Sequence, residues 1–126
     1  MAKIFVIDDS DGVRETLAFT LGLAGHAVTA ASNGPDGLWL AVDILPDLFM
    51  VDIQMPMMDG YSVCRAIKAD GRFEHAKVLL MSSCADRNMR EHAKLAGAEV
   101  LLDKVAMVSD LTGTVAAYLS DKAVVS

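Results

Sequence analysis

Cysteine is scarce in this sequence. Cys64 and Cys84 are the only two, and they form neither a C-x-x-C pair nor a zinc-site spacing. That excludes a disulfide scaffold and a zinc module, and leaves two reduced, largely buried thiols as the expectation. Positive charge is also short: 11 Lys and Arg stand against 17 Asp and Glu, for a net charge of −6 and a pI near 4.8. Without a basic patch, direct nucleic-acid binding is not expected. No apolar run is long enough to cross a bilayer. The amino terminus reaches Asp8 and Asp9 directly after Ile4-Phe5-Val6-Ile7, with no signal-peptide core. A cytoplasmic protein is therefore expected. His26, His75 and His92 are scattered and suggest no metal cluster and no histidine phosphocarrier. Repeats, low-complexity tracts and linkers are lacking as well.

What is present is a core. Hydrophobic residues make up 53% of 126 and charged residues 22%, with mean hydropathy +0.37, as in one globular domain. Short apolar runs alternate with helical patterns. Ile4 to Ile7 reads as a strand. Asp11 is placed to cap a helix with the stripe Val13, Leu17, Leu21 and Ala24, stopped by Gly25. Ala27 to Ala31 is a weaker strand. Asn33-Gly34-Pro35 reads as a turn before the stripe Leu38, Ala41, Val42 and Leu45, which Pro46 ends. Leu48 to Val51 is apolar at every position, as a strand buried on both faces requires. Asp59 is expected to cap a third helix that turns Val63 and Ile67 inward and stops at Gly71. Val78 to Met81 is a fourth strand. Met89, Ala93 and Ala96 make a fourth helix closed by Gly97, Val100 to Leu102 a fifth strand, and Leu111, Val115, Tyr118 and Leu119 the stripe of a last helix.

Five βα units with doubly buried strands predict an α/β fold: a doubly wound, five-stranded parallel sheet flanked by five helices. In such sheets ligands bind at the carboxyl ends of the strands. The residues there are Asp8 and Asp9, Asp52, Ser82 and Ser83, and Asp103 with Lys104. Asp8, Asp9 and Asp52 cannot all be ionised together without a compensating charge. A hard divalent cation such as Mg²⁺ supplies it, taking carboxylate, carbonyl and water oxygens. Acids, metal, lysine and hydroxyl together suit phosphoryl transfer. With no Ser-His or Cys-His pair in prospect, the nucleophile is a carboxylate and the product an acyl phosphate.

The motifs "FVIDDS" (5–10), "LFMVDIQMPMMDG" (48–60), "VLLMSS" (78–83) and "AGAEVLLDK" (96–104) resemble those of the receiver domains of two-component response regulators, of the single-domain chemotaxis-regulator type. The resemblance covers essentially the whole chain and implies the flavodoxin-like strand order 2-1-3-4-5. It implies one receiver domain over 1–126 with no output domain, because the chain ends with Asp121 to Ser126 soon after the last helix. It implies that Asp52 is the phosphoacceptor, that Asp9 ligates Mg²⁺ directly and Asp8 largely through water, and that the Gln54 carbonyl completes the protein ligands. Lys104 would pair with the phosphoryl oxygens and Ser82, rather than Ser83, would be the switch hydroxyl. Gln54 and Cys84 lie where the family tunes the lifetime of the acyl phosphate. Met55-Pro56 would stiffen the loop that presents the Gln54 carbonyl. The implied partners are a histidine kinase or histidine phosphotransfer protein as donor and a downstream protein on the face of helix four, strand five and helix five. The implied state is a monomer or weak dimer. The chain would not be an enzyme beyond its own phosphorylation and dephosphorylation.

Two positions depart from the pattern. Val105 stands where the family usually has proline after the lysine. A cis bond before a non-proline residue costs about 2.5–4 kcal/mol, so a trans Lys104–Val105 bond and a shifted loop are expected. Leu101 stands where the family usually has Tyr or Phe, so no aromatic ring can swing inward behind the hydroxyl. These departures motivate an alternative, a phosphorylation-independent interaction module. A third reading takes "DSDGV" (9–13) as the loop of a haloacid-dehalogenase-type phosphatase with Asp9 as nucleophile and Asp11 as acid. It lacks the acidic pair after the late lysine and leaves residues 52–60 unexplained.

Overall fold

The computed structural model describes residues 1–120; the stretch 121–126, on which the expected end of the domain rests, lies outside the described residues. Five parallel strands form one sheet, as the alternation predicted, and their order β2-β1-β3-β4-β5 is the one the resemblance implies. They are β1 (Lys3–Ile7), β2 (Ala27–Ala31), β3 (Leu48–Asp52), β4 (Lys77–Ser82) and β5 (Val100–Asp103). Every residue of β3 is buried, which is why its sequence is apolar throughout rather than alternating. The first four helices are α1 (Asp11–Leu23), α2 (Gly34–Ile44), α3 (Gly60–Ala69) and α4 (Arg87–Leu95). The fifth expected helix arrives in pieces: a single turn, α5 (Lys104–Met107), a 3₁₀ turn (Val108–Asp110), and then α6 (Leu111–Leu119).

Alternate strand residues feed two cores. Phe5, Ile7, Phe49, Val51, Val78 and Leu80 face α2, α3 and α4. Ile4, Val6, Leu48, Met50, Leu79 and Met81 face α1 and α6. Phe49 is the hinge of the first core, with Phe5 at 5.9 Å and Phe73 edge-on at 5.4 Å between ring centres.

Several boundaries differ from the sequence expectation. Ser10, not Asp11, caps α1: its Oγ accepts the Val13 N–H, and Asp11 is the first helical residue. Ala24 is the exposed C-cap rather than part of the stripe. Asn33-Gly34-Pro35 is a helix start, with Asn33 Oδ1 accepting from the Asp36 N–H and Pro35 in the first turn, where its missing donor costs nothing. Leu45 lies past the end of α2 in the left-handed region (φ 52°) and is about half exposed. Helix α3 ends at Ala69, and Gly71 opens a 3₁₀ turn (Gly71–Phe73). At the two helix starts, a short polar side chain, Ser10 or Asn33, satisfies an amide donor, a choice that stripe periodicity alone does not make.

Candidate functional site

The carboxyl ends of β1 and β3 lie side by side, with Ile7 opposite Val51. That register sets Asp8 and Asp9, directly after β1, next to Asp52, the last residue of β3. One carboxylate oxygen from each of Asp8, Asp9 and Asp52 lies within 4.8 Å of the others, the one such acidic or metal-ligating group among the described residues. Asp8 is wholly buried, Asp52 is 5% exposed and Asp9 is exposed. Asp8 Oδ1 accepts the Ser10 N–H at 2.9 Å, and its main-chain carbonyl accepts from Arg14 Nη1 at 2.7 Å. Both contacts come from the start of α1, so that helix fixes the acid at the end of β1.

Lys104 enters from β5, two strands away from β3. Its Nζ lies 2.8 Å from Asp8 Oδ2 and 3.3 Å from Asp52 Oδ1. Asp8 Oδ2 is buried, and the Lys104 ammonium is its one close partner. Burial opposes the charge of Lys104, but the Asp8 and Asp52 carboxylates outweigh it and hold the ammonium above its ordinary pKa. Burial, and then the neighbouring Asp8 charge, push Asp52 up to about 6 despite Lys104 and the Gln54 N–H. Three carboxylates within 4.8 Å of one another, two of them buried, make an all-oxygen donor set that fits a hard cation such as Mg²⁺.

The Lys104–Val105 bond is trans, as the sequence requires. Val105 keeps the N–H that proline would lack, and the loop uses it. Asp103 Oδ1 accepts from Val105 N at 2.9 Å and from Ala106 N at 3.1 Å, opening the helical turn that carries Lys104. The missing proline therefore does not withdraw the lysine from the acids. Asp103→Ala removes that cap and is expected to cost about 1 kcal/mol, read as a shift in the urea midpoint; an unchanged midpoint would show that the turn holds without it. Sequence reasoning overlooked this cap, although an aspartate before a non-proline pair is the signal for one.

The loop after Asp52 explains its own sequence. Asp59 caps α3, with Oδ1 accepting from the Ser62 N–H at 2.8 Å. The Gly60 N–H closes the loop on the Ile53 carbonyl at 2.9 Å, and the Met58 N–H on the Pro56 carbonyl at 2.8 Å. That second contact puts Met57 at φ 72°, a strained conformation for a side chain of this size. Met55 and Met58 pack on the core beneath. The Gln54 N–H reaches Asp52 Oδ1 at 3.4 Å, and Gln54 itself is exposed.

Ser82 ends β4 beside β3 and is 2% exposed, whereas Ser83 is exposed. Ser82 is thus the serine that faces inward. Its Oγ accepts the Cys84 N–H at 3.1 Å and donates to Met89 Sδ at 3.6 Å. Of the two thiols only Cys64 is buried; Cys84 is exposed, contrary to expectation, because the β4–α4 loop carries it out of the sheet. Asp11 does not join the acids as the phosphatase reading requires. It is exposed on α1 and paired with Arg14.

Residues 4–116 match the family model described as the response regulator receiver domain. PilG of Pseudomonas aeruginosa is 32% identical over 117 residues, covering 93% of this chain and 87% of PilG. The DNA-binding dual master transcriptional regulator RpaA of Synechocystis is 31% identical over 119 residues, covering 94% of this chain and 49% of RpaA; the chain spans about half of that relative. Among solved structures, the chemotaxis protein CheY4 of Vibrio cholerae superposes with a TM-score of 0.86 at 27% identity, over 91% of this chain and 96% of CheY4. The receiver domain of a histidine kinase from Syntrophus aciditrophicus gives 0.86 at 26% identity, over 96% and 92% of the two chains.

Proposed function

Because this chain belongs to the response regulator receiver-domain family of two-component signalling, we propose that it is a phosphoacceptor switch in which Asp52 takes a phosphoryl group from a histidine kinase or histidine phosphotransfer protein. The observation that carries this reading is the convergence of the Asp8, Asp9 and Asp52 carboxylates with Lys104 Nζ bridging two of them.

An ionised Asp52 oxygen attacks the phosphorus of a phosphohistidine in line with the N–P bond. The O–P bond forms, the N–P bond breaks, and the electron pair stays on the imidazole nitrogen, which takes a proton. Lys104 sits where a phosphoryl oxygen on Asp52 would meet its charge, and it lowers the energy of the spread negative charge in the transition state. Asp8, Asp9 and Asp52, with the Gln54 carbonyl, would hold Mg²⁺. When bound, that ion neutralises the acids and the incoming phosphoryl oxygens. Ser82 supplies one hydroxyl hydrogen to the phosphoryl group. Attack of water on the acyl phosphate resets the switch, with Gln54 and Cys84 at the positions where the family tunes that step, so the chain's only chemistry is on itself. The output is a protein-docking face of α4, β5 and α6 in a cytoplasmic pathway. Among the described residues no helix is long and apolar enough to cross a membrane.

Intact mass after incubation with phosphoramidate tests this. Wild type should gain one phosphoryl group when Mg²⁺ is present; Asp52→Ala should gain none, and wild type without Mg²⁺ almost none. A folded wild type that stays unmodified with Mg²⁺ present would leave the phosphorylation-independent interaction module as the reading.

A further inference from the structure

We propose that Met89 is the lever by which the Ser82 hydroxyl positions the start of α4, in the role that an aromatic residue on β5 cannot play here. The proposal rests on the reading of Asp52 as the phosphoacceptor and Ser82 as the hydroxyl that bonds its phosphoryl group.

A serine hydroxyl has one hydrogen to give. In this structure it goes to the Met89 thioether, 3.6 Å away. The oxygen itself accepts the Cys84 N–H, so a movement of Oγ toward Asp52 also pulls on the loop that leads into α4. A thioether is a weak acceptor, whereas a phosphoryl oxygen is charged and strong. The two cannot share the hydrogen. Once Asp52 carries a phosphoryl group, the hydroxyl leaves Met89 for it, and a flexible side chain that had been held at its sulfur is free to repack.

Met89 is placed to transmit that release. It is the third residue of α4 and half-buried against the core below. Its carbonyl accepts the Tyr61 hydroxyl at 3.3 Å from α3, and the Tyr61 ring lies 5.7 Å from that of His92, one turn along α4. The next residue, Arg90, donates from Nη1 to the Leu101 carbonyl at 3.1 Å. The first turn of α4 is thus tied to β4 by Met89, to α3 by the Tyr61 hydroxyl and to β5 by Arg90. Phosphorylation cuts the first tie and leaves the other two as pivots. Leu101 itself is 3% exposed and has no ring to move, so the moving part belongs to α4 rather than to β5.

Methyl-labelled methionine and backbone amide NMR of the full chain tests this, with Mg²⁺ and beryllofluoride as the phosphoryl mimic. In wild type the Met89 methyl resonance should shift together with the amides of residues 87–95, alongside those of Gln54 and Cys84. In Met89→Leu, which keeps the volume and removes the acceptor, Gln54 and Cys84 should respond as before and the shifts over 87–95 should be largely lost. A stationary Met89 methyl in wild type, or a full α4 response in Met89→Leu, with Gln54 and Cys84 still responding, would overturn the lever. Unmoved Gln54 and Cys84 amides would instead overturn the phosphoacceptor reading, and the lever with it. The wild-type methyl resonance decides the matter even if the variant folds poorly.

Discussion

Asp52→Asn is expected to stabilise the metal-free protein at neutral pH while abolishing phosphoryl acceptance. The cause is the burial of Asp52 beside Asp8, which raises its pKa from 3.8 to about 6. A carboxyl whose folded pKa exceeds its unfolded value binds its proton more tightly in the folded state. Its contribution is therefore best below pH 4 and is lost as pH rises through 6. A shift of this size corresponds to about 3 kcal/mol when complete. The amide of the Asp52→Asn variant cannot ionise, so the two proteins should have similar stability near pH 3.5 and separate by up to that amount by pH 7, in urea titrations with chelator present. Comparing the two proteins at each pH cancels the titration of carboxylates remote from Asp52. Adding Mg²⁺ at pH 7.5 should recover much of the loss in wild type and do little for the variant. Parallel pH profiles would mean that Lys104 already neutralises Asp52 in full.

The second large effect is expected at Gly60. A Cβ built there would sit 2.4 Å from the Asp52 carbonyl oxygen and 2.7 Å from the Ile53 Cα. These are backbone atoms of the strand end that carries Asp52, so no side chain can swing aside to make room. Gly60→Ala must push α3 away from β3 or bend the Asp52 loop. The cost is expected to be about 3 kcal/mol, at the upper end of ordinary overpacking, and phosphoryl acceptance should fall with it because the Asp52–Gln54 contact belongs to the same loop. A urea midpoint like that of wild type, with normal labelling by phosphoramidate, would sink this account of the Asp59-Gly60 pair.

The class of fold was legible because doubly buried strands leave short, wholly apolar runs bounded by turn signals, alternating with helical stripes. Leu48 to Val51 and Val78 to Met81 are apolar at every step, and both are central strands with no exposed residue between them. The candidate site was legible for a related reason. Strand ends in a parallel sheet gather whatever polar residues follow the apolar runs, and here those were Asp8, Asp9, Asp52, Ser82 and Lys104. Helix starts were less legible, since Ser10 and Asp11 are both good caps and only the path of the chain selects Ser10.

The sequence by itself determined the order of elements, the acids and lysine at the strand ends, and the trans bond after Lys104, because each follows from local chemistry: periodicity, position after an apolar run, and the absence of proline. Only the tertiary structure decided which serine faces inward, that Asp103 replaces proline in shaping the turn under Lys104, and that the Ser82 hydroxyl meets Met89. Those three depend on contacts between residues 2 to 7 positions apart, or between neighbouring strands. Their geometry is set by how helices seat on the sheet, and no pattern along the chain encodes that seating.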